Sequence, residues 1–135
     1  MTSVLLVTDA EWVRNDVRAS LAVGEWDLVE TDQPANVLEL TRESGFDVVI
    51  VDMQVGSMGG MATIRAITDE MEGDQRPRTA LLLDRTADEF LARRAGADVA
   101  IIKPFTAQDL RSALAGLGVE GGVTGGGPKK SRPRK

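Results

Sequence analysis

Five short apolar runs alternate along the chain with segments of helical spacing, and this order constrains the fold more than any other feature. The runs cover residues 4–7, 26–30, 48–51, 80–83 and 99–102. An unbroken run such as Val48-Val49-Ile50-Val51 is typical of a strand that is covered on both faces. Five repeats of strand and then helix predict an α/β fold with a doubly wound, five-stranded parallel sheet.

The segments between the runs carry signals of helices. Val13, Val17 and Leu21 recur at four-residue spacing after the first run, which places them on one face of a helix. Thr86 and Glu89 form a capping-box pattern after the fourth run. This pattern predicts that the fourth helix begins there.

The chain divides into a domain and a tail. Thr106 can cap a last helix, and from Gly118 onward the sequence is rich in glycine, so residues 1–118 are predicted to fold and residues 119–135 to form a flexible tail. Five of the 16 basic residues lie in the last seven positions, where none of the 21 acidic residues lies. An acidic body with a basic tail predicts that the tail contacts a partner.

The composition excludes several classes of function. The chain has no cysteine and no histidine, which removes disulfides, thiolate metal sites and His-dependent catalytic triads. The N-terminus lacks the pattern of a signal peptide, and no apolar run is long enough to span a bilayer. We therefore expect a cytoplasmic protein that does not itself span a membrane.

Charged residues follow four of the five predicted strands. Asp9, Asp52, Asp84 and Lys103 lie at or just after the ends of the first, third, fourth and fifth runs. In open α/β sheets, ligands bind beyond the carboxyl ends of the strands, so these side chains are expected to converge. Carboxylates can hold Mg²⁺, and one of them can accept a phosphoryl group as an aspartyl phosphate. Lysine can pair with phosphoryl oxygens as a point charge.

The order of these motifs resembles that of response-regulator receiver domains (CheY-like) over roughly residues 3 to 117. The resemblance rests on Val48-Val49-Ile50-Val51-Asp52, Met58-Gly59-Gly60, Ala95-Gly96-Ala97-Asp98 and Lys103-Pro104-Phe105. It implies the flavodoxin-like (βα)5 receiver fold. It also implies a signalling module of a two-component system, with a histidine kinase as a partner, and not an enzyme.

The resemblance assigns roles to individual residues. Asp52 matches the phosphoacceptor and Lys103 the lysine that contacts the phosphoryl group. Asp9, Asp52 and the backbone carbonyl of Gln54 match the ligands of Mg²⁺. The Lys103–Pro104 bond is expected to be cis, as in the family.

Four departures separate this chain from the family pattern. Thr8 stands where receivers carry the first of two adjacent acids, and Asp84 stands where they carry Ser or Thr. Ala100 replaces the mobile aromatic residue of the fifth strand. The stretch from Asp84 to Lys103 is about one helical turn shorter than usual, so the fourth helix is expected to be short.

Asp84 has two alternative interpretations. If the fourth strand slipped by two residues, Thr86 would supply the family's hydroxyl, although Thr86 is already predicted to act as a helix cap. Asp84 can also be structural, pairing with Arg85 or Lys103 to close the pocket.

Three functions follow from these features. The departures favour a stand-alone receiver that acts by protein–protein interaction, as a phosphorylation-independent adaptor or accessory subunit of a larger assembly. A further resemblance, to orphan single-domain receivers on membrane respiratory complexes, would place it at the membrane through its partner. The alternative is a Mg²⁺-dependent switch phosphorylated on Asp52. Nucleic-acid binding through the tail is the weakest candidate, because the basic residues lack interleaved aromatics and follow an acidic domain.

Overall fold

The computed structural model describes residues 2–56, 59–73 and 76–119. The strands are β1 (Thr2–Val7), β2 (Trp26–Thr31), β3 (Val48–Asp52), β4 (Arg78–Leu83) and β5 (Val99–Ile102). The α-helices are α1 (Glu11–Ser20), α2 (Val37–Ser44), α3 (Gly60–Glu70), α4 (Glu89–Ala95) and α5 (Ala107–Gly116). Single 3-10 turns, Pro34–Asn36 and Thr86–Asp88, precede α2 and α4.

The five strands form one parallel sheet in the order β2-β1-β3-β4-β5. β3 lies at the centre and all five of its residues are buried, which explains why this run is apolar up to Asp52. The predicted doubly wound sheet is confirmed. Because every strand runs in the same direction, the carboxyl ends of all five meet at one edge of the sheet.

Alternate residues of the strands feed two separate apolar cores. On one face, Leu5, Val49 and Leu81 pack with residues of α2, α3 and α4. On the other, Leu6 and Ile50 pack with residues of α1 and α5. Helices therefore cover both faces of the sheet, which is why the central strands lack the polar alternation of a half-exposed sheet.

The prediction for the start of the fourth helix is wrong. Thr86 lies inside a 3-10 turn, and neither that turn nor α4 has a side-chain cap. The residue at the N-cap of α4 is Asp88, whose carboxylate instead accepts hydrogen bonds from the Arg85 guanidinium at 3.2 and 3.3 Å. A capping residue lies just before the first residue of a helix or turn. Thr86 is instead the first residue of the 3-10 turn, so the capping pattern does not form.

Two other predictions about helices are confirmed. Thr106 caps α5 in a complete capping box, in which its hydroxyl accepts from the Asp109 N–H and the Asp109 carboxylate accepts from the Thr106 N–H. With seven residues, α4 is the shortest of the five described α-helices. Val119, which the sequence assigns to the tail, is 5% exposed and packs against the core beside α5; the rest of the tail lies outside the described residues.

Candidate functional site

Three of the four charged residues predicted to converge, Asp52, Asp84 and Lys103, meet at the carboxyl edge of the sheet. Asp52 ends β3, Asp84 follows β4 and Lys103 follows β5. The Lys103 N–H donates to the Leu83 carbonyl at 2.8 Å, which extends the pairing of β5 with β4 by one residue. The next peptide bond, Lys103–Pro104, is cis as expected.

The carboxylate of Asp52 is held by three donors. Lys103 Nζ lies 2.6 Å from Oδ1, and the Gln54 N–H donates to the same oxygen at 3.2 Å. The hydroxyl of Thr8 donates to Oδ2 at 2.8 Å. The side chains of Asp52 and Lys103 are only 3% and 6% exposed, so this is a buried ion pair with additional hydrogen bonds, the arrangement in which a buried charge is tolerated.

Asp84 completes a closed ring of contacts. Its Oδ1 lies 3.2 Å from Lys103 Nζ, and its Oδ2 accepts from Gln54 Nε2 at 2.7 Å. Gln54 also donates its backbone N–H to Asp52, so the series of contacts that begins at Asp52 ends at Asp52 again. We call Asp52, Gln54, Asp84 and Lys103 the strand-end ring. It joins the ends of β3, β4 and β5.

Both alternatives for Asp84 are resolved by these contacts. Asp84 pairs with Lys103, whereas Thr86 lies exposed in the turn before α4. Arg85 pairs with Asp88 at 3.2 Å, and the hydrogen bond that Arg85 donates to this carboxylate raises the pKa of Arg85. Asp84 is therefore the residue that faces Lys103 from the end of β4.

Asp9 contacts the loop that follows β3. Its Oδ2 accepts from the Gly56 N–H at 3.0 Å, so the loop is tied at one end to Asp52 and at the other to Asp9. Close packing also explains a glycine here, because a Cβ on Gly60 would lie 2.7 Å from the Met53 Cα. Met58, part of the motif that precedes α3, lies outside the described residues.

Three contacts of the pocket were missed by sequence reasoning. The family pattern identifies Thr8 only as a replacement for an acidic residue, yet its hydroxyl donates to Asp52. The side chain of Gln54 had been assigned no role. The Trp12 ring, on the first turn of α1, lies 5.8 Å from Lys103 Nζ at a cation–π distance. The signal in the sequence for this last contact is that Trp12 follows Asp9, at the end of β1, by three residues.

A groove of about 250 Å³ lies between α4 and β5. Ala100 lines it together with Ala92, Arg93, Ala97 and Val99. The small side chain at position 100, predicted to replace an aromatic residue, therefore borders open space. Within the described ranges, no helix has the length and apolar character needed to cross a bilayer.

Comparison with known proteins identifies the family. Residues 4–115 match the model of the response regulator receiver domain. The chain is 25% identical over 113 residues to the chemotaxis protein CheY of Pseudomonas aeruginosa. The aligned region covers 82% of this chain and 91% of that protein.

Solved structures share the fold. Vibrio cholerae CheY4 superposes with a TM-score of 0.75 at 23% identity, covering 85% of this chain and 97% of that chain. The BeF3-activated receiver domain of Klebsiella pneumoniae RstA gives 0.74 at 22% identity, covering 84% and 96%. With its five-stranded parallel sheet and the aspartate and lysine at the strand ends, the chain belongs to the response regulator receiver family of two-component systems.

Proposed function

We propose that this receiver domain works by protein–protein interaction, as an adaptor or accessory subunit whose docking does not require phosphorylation of Asp52. The contacts of the strand-end ring support this proposal. Both oxygens of the buried Asp52 carboxylate have donors within the chain, and Lys103 is shared with Asp84. A pocket whose central carboxylate already has donors on both oxygens can keep its shape without a phosphoryl group.

The surface around α4 supports protein docking. Phe90 is 65% exposed, Leu91 beside it is also exposed, and the Arg94 guanidinium lies 5.8 Å from the Phe90 ring. Exposed apolar side chains next to a groove, with an arginine among them, are typical of surfaces that bind proteins. We therefore place the docking surface on α4 and the adjacent edge of β5.

The partner is proposed to be a large multi-subunit assembly associated with a membrane. The basic tail would contact an acidic surface of that assembly, since the last seven residues hold five basic residues and the chain before them carries 11 basic and 21 acidic residues. Such docking would hold a cytoplasmic protein peripherally at the membrane. Nucleic acid remains the less favoured target for the tail, because the acidic domain would repel phosphates.

Affinity purification of the tagged intact chain from its own cells, in mild detergent, tests the proposal. Asp52→Asn should recover the same multi-subunit complex in the same yield as the intact chain. A chain that ends at Val119 should lose the complex, because it lacks the basic tail. Asp27→Asn, an exposed change at the other edge of the sheet, is the control. Loss of the complex in Asp52→Asn would refute the proposal.

A second candidate is a Mg²⁺-dependent phosphoacceptor switch, which the 2.6 Å contact between Asp52 and Lys103 favours. In this reaction an Asp52 oxygen forms a bond to phosphorus as the P–N bond of a kinase phosphohistidine breaks, and the freed imidazole nitrogen keeps the electron pair. Lys103 would neutralise the phosphoryl oxygens. A histidine kinase would be the partner.

The donor set fits Mg²⁺ in its chemistry. Asp9, Asp52 and the Gln54 carbonyl would hold it through oxygen, as one or two carboxylates commonly do. In the parts of the chain that the structure describes, no group of three or more acidic side chains is arranged around a metal position. The bound ion would supply positive charge that offsets the phosphoryl oxygens.

Intact-protein mass spectrometry separates the two candidates. The chain is incubated with a small phosphodonor and Mg²⁺, with Asp52→Asn and a chelated sample as controls. The phosphorylation-independent function predicts no added phosphoryl group in any sample. A phosphoryl group that appears on the intact chain, and is absent from both controls, would establish the switch instead.

A further inference from the structure

Lys103 is contacted by two carboxylates at once, and they differ in exposure. Its ammonium lies 2.6 Å from Asp52 and 3.2 Å from Asp84. The Asp52 and Lys103 side chains are almost fully buried, whereas that of Asp84 is 39% exposed. Gln54, which bonds to Asp84, is also exposed. Asp84 and Gln54 thus form the solvent side of the strand-end ring.

The charges of the ring do not balance. Asp52 and Asp84 contribute two negative charges and Lys103 one positive charge, at distances short enough for strong interaction. An anion that approached Asp52 would need Lys103 as its counter-charge and would meet the Asp84 carboxylate beside it. Asp52 and Lys103 are themselves buried, so charges that face them are screened less than a pair on an open surface.

We infer that Asp84 is a resident counter-ion that determines the ligand specificity of this pocket. It occupies Lys103 from within the chain and thereby excludes anions of the phosphoryl class. Its second oxygen is fixed by Gln54 Nε2, so that Asp84 is held on the lysine by two contacts. An anion can bind only when this carboxylate leaves Lys103.

The inference goes beyond the proposed function. It concerns anion binding by the isolated chain, whereas the proposed function concerns docking to a partner. The two can fail separately, since a pocket that excludes anions does not by itself make a docking surface.

The test uses BeF3⁻, the group that activates the Klebsiella pneumoniae RstA receiver domain, titrated in the presence of Mg²⁺. Trp12 provides the readout, since its ring lies 5.8 Å from Lys103 Nζ. Trp26→Phe removes the only other tryptophan of the chain. In this background, fluorescence reports the surroundings of Lys103, and fluorine NMR gives an independent measure of bound BeF3⁻.

Asp84→Asn keeps the size of the side chain and removes its charge. We expect it to bind BeF3⁻ at least about tenfold more tightly than the parent chain, because one unit of repulsion next to the site is lost. Asp84→Ser should change affinity in the same direction. Asp27→Asn makes the same chemical change at the other edge of the sheet and should leave the affinity unaltered.

Equal affinity of the parent chain and both Asp84 variants would overturn the inference, whether all of them bind BeF3⁻ or none does. An equal gain in Asp27→Asn would overturn it too, since the effect would then be one of net charge. Circular dichroism checks that each variant is folded. If Asp84→Asn does not fold, Asp84→Ser decides the outcome by the same criterion.

Discussion

The hydroxyl of Thr8 makes two hydrogen bonds at the end of β1. It donates to Asp52 Oδ2 at 2.8 Å and accepts from the Ala10 N–H at 3.1 Å. Thr8 is 1% exposed, so water cannot readily replace it. Thr8, which replaces an acidic residue of the family pattern, is thus a neutral hydrogen-bond donor to the Asp52 carboxylate. Its presence lowers the negative charge of the pocket by one unit relative to an acid at the same position.

Thr8→Val should destabilise the domain by about 1–3 kcal/mol, because a buried oxygen of Asp52 loses its hydrogen-bond donor while the shape of the side chain is kept. Urea unfolding followed by circular dichroism measures the change. Thr8→Ser retains the hydroxyl and should lose clearly less. Equal stabilities of the Val variant and the parent chain would show that this hydrogen bond contributes nothing.

At the scale of elements, an ion pair joins α1 to the edge strand β2. Arg18 Nε and Nη2 each donate to a different Glu30 oxygen at 2.7 Å. The hydrogen bond from Arg18 lowers the pKa of Glu30 below its ordinary value of 4.5, and Glu30 raises the pKa of Arg18. Geometry of this bidentate kind is favourable, but an exposed pair contributes only modestly to stability.

The lowered pKa of Glu30 gives a pH dependence with a definite sign. The carboxylate is stabilised in the folded state, so its contribution is present above pH 4.5 and is lost as the pH falls through the folded pKa. Glu30→Gln should be slightly less stable than the parent chain at pH 7, and the difference should shrink as the pH falls through the lowered pKa of Glu30. Chemical unfolding at a series of pH values tests this, with Glu39→Gln on α2 as the control. A difference that persists unchanged in acid would contradict the assignment.

The start of α4 shows the limit of local sequence reasoning about elements. A threonine followed three residues later by glutamate is a sound capping signal, and the equivalent pattern at Thr106 and Asp109 forms a complete capping box. At Thr86 the same pattern fails, because a 3-10 turn begins there and Asp88 pairs with Arg85. The 3-10 turn between β4 and α4 therefore determines whether Thr86 can cap the helix.

At the scale of the whole molecule, the core includes Val119, one residue beyond the end that the glycine content predicts for the domain. Val119 is buried against the core, and its N–H donates to the Leu114 carbonyl at 2.9 Å. We therefore propose that Val119 belongs to the folded domain.

A chain that ends at Val119 should therefore unfold at the same urea concentration as the intact chain. A chain that ends at Gly118 should lose about 1.5–3 kcal/mol, the value of burying one such side chain. The two truncations differ by a single residue, so each is the control for the other. Equal stability of both truncated chains would place the end of the packed unit before Val119.

The sequence by itself determined the class of fold and the location of the pocket. Five apolar runs separated by helical segments permit a parallel sheet, and a parallel sheet brings Asp52, Asp84 and Lys103 to one edge. These conclusions need only the period of the apolar pattern and the alternation of strand and helix segments, which are local properties of the sequence.

Only the tertiary structure decided which of these charges pair. Thr8 meets Asp52 across 44 positions of the chain, Gln54 meets Asp84 across 30, and Lys103 meets Asp52 across 51. Such contacts depend on strand order, on register and on the geometry of side chains after burial, none of which has a local signal. For that reason the sequence offered both Arg85 and Lys103 as partners of Asp84, and the fold was needed to place Asp84 on Lys103.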